Sequence, residues 1–129
     1  MSGTPEETRG AAEQWRVTVA EAEATPLPEG ERSAPVLAHG GMLVRFYAPC
    51  GTDEQSPHTR DELYVVARGS GAFVNGEERH PFGEGDVLFV PAGVEHRFED
   101  FTEDFATWVF FYGPEGGENP AQGRTQEQP

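Results

Sequence analysis

At 129 residues the chain has room for one domain, and hydrophobic residues at 36% with aromatics at 11% suffice to fill one small core. Nine basic residues against 23 acidic ones leave a formal charge of −14, which repels phosphate backbones and anionic lipid, so nucleic acid and membrane surfaces are excluded as expected partners. The one cysteine, Cys50, forbids an intramolecular disulfide, the N-terminus has no basic stretch leading into an apolar run, and no apolar run approaches the roughly 20 residues that span a bilayer; a soluble cytoplasmic protein is the expectation.

Residues 1–13 are rich in Ser, Gly, Thr and Glu without apolar periodicity and are expected to form a flexible N-terminal segment. A strand is predicted over 15–20, where Trp15, Val17 and Val19 alternate with Arg16 and Thr18. Beyond a loop containing Pro26, Pro28 and Gly30, Val36 and Leu37 start a short strand, and residues 41–48 make a longer one that stops at Pro49 and Gly51. On that longer strand the pattern leaves open whether Met42, Val44 and Phe46 or Leu43, Arg45 and Tyr47 face inward. A strand over 63–67 ends at Gly69, Ser70 and Gly71. Residues 72–74 lead into Asn75-Gly76, whose tolerance of positive φ at both positions predicts a type I′ hairpin turn, with the return strand over 77–80.

Residues 87–90 form the next strand, stopped by Pro91, and 95–99 a short one. In the last strand, 105–112, Phe105, Thr107, Val109 and Phe111 share one face and Ala106, Trp108, Phe110 and Tyr112 the other. Residues 113–129, rich in Gly, Glu, Gln and Pro, are expected to be a flexible C-terminal tail, which leaves a β domain over 14–112. No segment carries a 3.6-residue apolar repeat. The class is all-β, and short strands with hairpin-length links are economically arranged as a closed barrel or two packed sheets.

Two segments go beyond architecture. One runs Ser56-Pro57-His58-Thr59-Arg60-Asp61-Glu62 and is followed, after six residues, by Gly69. The other is Gly85, five residues, Pro91, one residue, Gly93, two residues, His96, three residues, Asp100. Pro91 cannot continue a ladder and Gly93 permits a tight reversal, so His96 opens a strand at a fixed corner. These segments resemble the two motifs of the cupin superfamily over about residues 40–112. His58 and Glu62 match the second His and the Glu of its first motif. The second motif matches at every step, with Asp100 in place of an Asn.

The resemblance implies a double-stranded β-helix, a jelly-roll-like barrel, with one divalent metal ion in its mouth held by His58, Glu62 and His96. Two imidazoles and a carboxylate on one side of an ion leave positions open for water or substrate, an arrangement compatible with Fe, Mn, Zn or Ni. The departure is Ser56, which stands where the family has its first His; a hydroxyl is a far weaker ligand, so three protein ligands are expected. Arg60 is rejected as a member of a displaced His pair because it leaves one residue before Glu62. Gln55 is a further possible oxygen donor, and Ser56, Tyr64 and Phe98 are candidate pocket-lining residues. His39 and His80, beside Gly40 and Pro81 in apparent loops, are expected at the surface, and Cys50 has no neighbour that would activate its thiol.

Two functions are compatible with the resemblance. One is a metal-dependent enzyme of oxygenase, isomerase or lyase type on a small organic substrate; the other is a non-catalytic module that binds a small molecule or carbohydrate, with the metal structural or absent. Small cupins pair as homodimers through sheets and N-terminal strands, which implies the same for this chain, with residues 15–19 as the pairing strand.

Overall fold

The alternating segments become eight β-strands and one short helix in a computed structural model that describes residues 15–53 and 55–119. The expected flexible segment 1–13 and residues 120–129 of the expected tail lie outside the described residues. The strands are β1 (Ala34–His39), β2 (Met42–Tyr47), β3 (Asp61–Arg68), β4 (Gly71–Asn75), β5 (Glu78–Phe82), β6 (Val87–Val90), β7 (His96–Glu99) and β8 (Ala106–Tyr112). They form a five-stranded sheet in the order β1-β2-β8-β3-β6 and a three-stranded sheet in the order β5-β4-β7, with every neighbouring pair antiparallel.

The sheets lie face to face over one core, to which the large sheet gives Tyr47, Tyr64, Val66, Val90 and Val109 and the small sheet Phe73, Phe82 and Phe98. Phe98 is the hub, with ring centroids 4.8 Å from Phe105, 4.9 Å from Tyr64 and 5.0 Å from Phe73. Such offset and edge contacts add to the area term, so the strand that begins at His96 is anchored two residues later. The open choice on β2 resolves with Arg45 and Tyr47 on the inner side and Val44 and Phe46 in a second cluster on the outer side, with Val36 and Ala106.

The strand predicted over 15–20 is not formed. Instead α1 spans Val19–Ala24 and covers part of that outer cluster with Ala22, which is buried. The cause is local: Thr18 and Glu21 make a capping box, the Thr18 side chain accepting from Glu21 N at 3.1 Å and Thr18 N donating to Glu21 Oε1 at 2.9 Å. Three alanines then favour helix over strand, and an ion pair from Arg68 to Glu23 ties α1 to β3.

The hairpin turn also differs from expectation. Asn75 pairs with Glu78, so the two-residue loop is Gly76-Glu77, one position later than predicted. Positive φ falls on Gly76 alone (63°), at the first loop position, as a type II′ turn requires. His39 and His80 are exposed as expected, but they lie in β1 and β5 rather than in loops. Pro81 is accommodated because β5 is an edge strand. Residues 113–119 fold back on the start of β3: Gly116 N donates to Thr59 O at 2.7 Å, and Glu118 N to Asp61 Oδ2 at 2.8 Å.

Candidate metal centre

Three chain segments converge at one end of the core. Glu62, the second residue of β3, points inward and is buried; His58 stands four residues earlier in the loop leading to it; His96 is the first residue of β7 in the opposite sheet. The two segments singled out in sequence are joined directly, because Gly93 N donates to His58 O at 2.7 Å. Around Gly93 the chain turns from Pro91 O to Val94 N (3.3 Å) with Gly93 at φ 83°, a type II geometry that disfavours a side chain at that position. At the far end of β3 from the site, a Cβ on Gly69 would lie 2.6 Å from Phe105 Cα, so the glycine lets the β3–β4 corner touch the chain entering β8. Asp100, standing where the motif has Asn, has φ 52°, a conformation that those two residue types tolerate best after glycine.

One ligating atom from each of His58, Glu62 and His96 lies within 4.8 Å of the other two, so the group could hold a metal ion. His58 Nδ1 is 2.7 Å from Glu62 Oε2, and His96 Nε2 is 3.3 Å from Glu62 Oε1. His96 Nδ1 lies 2.9 Å from Val94 O, an atom that only accepts, so Nδ1 carries a proton. In the neutral ring Nε2 is then a lone pair, buried, without a hydrogen-bond partner, and turned toward a carboxylate. Two electron-rich atoms this close call for a proton or a cation between them, and the donor set fits a divalent ion.

The ionisation of the group follows from the same contacts. Burial pushes the Glu62 carboxyl up, but the hydrogen bond from His58 and the close approach of His96 together outweigh it and leave the group below its ordinary value. Burial pulls His96 down, but the nearby Glu62 carboxylate and the bond to the Val94 carbonyl prevail and leave it raised. Tyr64 is raised well above its ordinary value, by burial first and by the Glu62 charge second, so its hydroxyl stays protonated. That hydroxyl is 3.2 Å from both Glu62 oxygens and 3.1 Å from Gln55 Oε1. It is a donor held beneath the carboxylate.

Beside the triad opens a cavity of about 330 Å³. Ser56, Gln55 and His58 line it, together with Arg45, Tyr47 and the apolar Leu43, Val109 and Phe111. Tyr64 and Phe98 are not among its lining residues; inward alternation carries both into the core beneath, where they are 0% and 2% exposed. Arg60 turns away from the triad, with Nε donating to Gly113 O at 2.9 Å and Nη2 bonded to Gly41 O. Cys50 is exposed and free.

Sequence reasoning missed Asp53. Its Oδ2 accepts from Phe98 N at 2.8 Å and from Gln55 Nε2 at 2.9 Å, and Oδ1 accepts from the Tyr47 hydroxyl. It therefore fastens the loop carrying Gln55, Ser56 and His58 to β7. An Asp after Gly and Thr reads as a turn residue, and nothing local signals the partner 45 positions away. Asp61 was missed likewise; it takes Ala92 N on Oδ1 and Glu118 N on Oδ2 and closes the loop before His96 against β3.

Comparison with known proteins agrees with this architecture. The family model described as "Cupin domain" matches residues 43–112, more than half of the chain. An uncharacterised protein of Streptomyces coelicolor, SCO3923, is 44% identical over 95 residues, covering 67% of this chain and 90% of that protein. Among solved structures, a protein of unknown function from Rhizobium leguminosarum superposes with a TM-score of 0.63 at 21% identity, over 78% of this chain and 98% of that one. An RmlC-like cupin with a double-stranded β-helix fold from Methanocaldococcus jannaschii superposes with a TM-score of 0.55 at 12% identity, over 70% and 89% of the two chains. Among the described residues, no helix is long and apolar enough to cross a membrane. The motif spacing, the two facing sheets and the family match agree: the chain belongs to the cupin family.

Proposed function

We propose that this protein is a metal-dependent enzyme acting on a small organic substrate, with His58, Glu62 and His96 holding one divalent ion of Fe, Mn, Zn or Ni. The observation that carries this reading is the buried, unpartnered Nε2 of His96, whose ring is fixed by the bond from Nδ1 to the Val94 carbonyl. When bound, such an ion supplies Lewis-acid polarisation or oxygen activation. The chain's own residues supply the rest. Glu62 provides the negative charge, and Tyr64 holds its carboxylate from below. His58, with a side chain 35% exposed, links the buried pair to the cavity. Leu43, Val109 and Phe111 give that cavity an apolar wall that excludes water from one side of a bound molecule.

A second reading, a non-catalytic cupin that binds a small molecule or carbohydrate with the metal structural or absent, is favoured by one feature. Ser56, at the first-His position, is exposed at the cavity and offers only a hydroxyl. Elemental analysis of purified protein, before and after incubation with each of the four metals, separates the two. About one ion per chain is expected for the wild type, falling at least tenfold for His96→Ala. Wild-type protein that takes up none of the four leaves only the binding reading. We also propose that two copies pair through the outer face of the five-stranded sheet.

A further inference from the structure

The cavity beside the triad carries a feature that the metal reading does not use. Arg45 lines it, with a side chain only 17% exposed. Its Nε donates to Ser33 Oγ at 2.7 Å and its Nη2 to Ser33 O at 2.9 Å, so the guanidinium is fixed in place. Nη2 also pairs with Glu31, whose side chain is 46% exposed. Nη1 has no partner among the described residues. Glu31 and Arg32 also belong to the lining.

Register places this cation relative to the triad. Arg45 pairs with Val109, and Val109 with Tyr64; one row along, Leu43 pairs with Phe111, and Phe111 with Glu62. Arg45 and Glu62 therefore share the inner face of one sheet, two strand spacings across and two residues along, or roughly 12 Å between their backbones. A guanidinium does not lose its proton. A molecule without an acceptor filling the cavity would strip water from Nη1 and leave it unpaired, and a neutral acceptor would make a weaker bond there than the charge-assisted one a carboxylate makes. An exposed ion pair such as Arg45 with Glu31 is weak enough for a ligand to displace.

We infer that the cavity is a site for a small organic acid, with its carboxylate on Arg45 and its other end toward His58. This deepens the enzyme reading by naming the substrate class and rests on it for the second end of the molecule. Arg45 is then a specificity-determining residue, and Glu31 competes with the ligand for it.

The test uses glutarate and its neutral diamide as probes, titrated calorimetrically into metal-free and zinc-treated full-length protein. Glutarate is expected to bind the metal-free wild type with a Kd of about 1 mM or tighter, and the diamide about tenfold more weakly. Arg45→Gln should weaken glutarate about tenfold and leave the diamide unchanged. Since Arg45 also holds Ser33, a second variant guards against a folding defect: Glu31→Gln, at a half-exposed side chain, should tighten glutarate by about threefold, a gain no structural role for the ion pair predicts. Equal binding of acid and amide, no detectable glutarate binding at about 10 mM, or a Glu31→Gln variant no tighter than wild type overturns the assignment. Zinc uptake, measured separately, keeps the two readings apart. If the wild type takes no zinc the metal reading falls, while the contrast between acid and amide on metal-free protein still decides the role of Arg45.

Discussion

At the scale of single residues, the chemistry of the site turns on what lies between His96 Nε2 and Glu62 Oε1, 3.3 Å apart and buried. Without an ion, a proton on the imidazole satisfies the carboxylate, which is why His96 is raised and Glu62 lowered despite burial pushing each the other way. Metal and proton therefore compete for one nitrogen. Because the His96 value is raised, competition begins at a higher pH than for an ordinary imidazole, which titrates near ~6.5. Zinc affinity should be flat at alkaline pH and should fall about tenfold per unit once His96 protonates. Titrations from about pH 8.5 to about pH 5.5 that gave one constant affinity would show that no histidine proton is displaced. The three ligand candidates were legible in the sequence because their spacing resembles the two cupin motifs, with His58 and Glu62 at one strand entry and His96 at one corner. The supports were not: Asp53 reaches Phe98 N, and Tyr64 turns its hydroxyl under Glu62, through contacts that exist only once the two sheets have packed.

At the scale of elements, the two motif glycines differ in a way that can be measured. Gly93 has φ 83° but open space where a Cβ would stand, so Gly93→Ala meets only left-handed strain of about 1 kcal/mol. Gly69 has φ 88°, and its Cβ would meet the Phe105 backbone at 2.6 Å, so Gly69→Ala adds overpacking to strain and should cost about 2–4 kcal/mol. Urea denaturation of both variants checks this, and equal losses would mean that the close approach of the β3–β4 corner to Phe105 carries no energetic weight. Strand positions were legible wherever turn residues bounded a short apolar run, as at β6 and β8. The helix was not, because Trp15, Val17 and Val19 alternate like a strand over five residues, and the capping box at Thr18 and Glu21 overrides so short a pattern. The hairpin slipped by one position because cross-strand pairing of Asn75 with Glu78, rather than the preference of Asn-Gly, chose the loop.

At the scale of the whole molecule, the five-stranded sheet is apolar on both faces although only one covers the core. Cross-strand register lines up two rows on its outer side: Phe89, Leu63, Phe110 and Val44 in one, and Val87, Val65, Trp108 and Phe46 in the other. Helix α1 covers the end near β2, where Phe46 and Val44 are buried. At the β6 end the rows are bare, with Val87 61% and Phe89 47% exposed. Contiguous exposed apolar rows on a sheet are costly in water and mark an interaction surface, and β6 is also an edge strand with an unpaired side. The N-terminal pairing expected of residues 15–19 loses its basis, since no strand forms there; the bare rows supply a different one. A second copy laid on this face would bury the same residues from both chains, as a two-fold interface requires. Sedimentation equilibrium is expected to give twice the 14.1 kDa chain mass, and Phe89→Glu, which places a charge in the middle of the patch without touching the core, should return it to one chain. A wild-type mass of one chain at about 50 μM, where a Kd in the micromolar range would leave mostly dimer, would rule out this pairing.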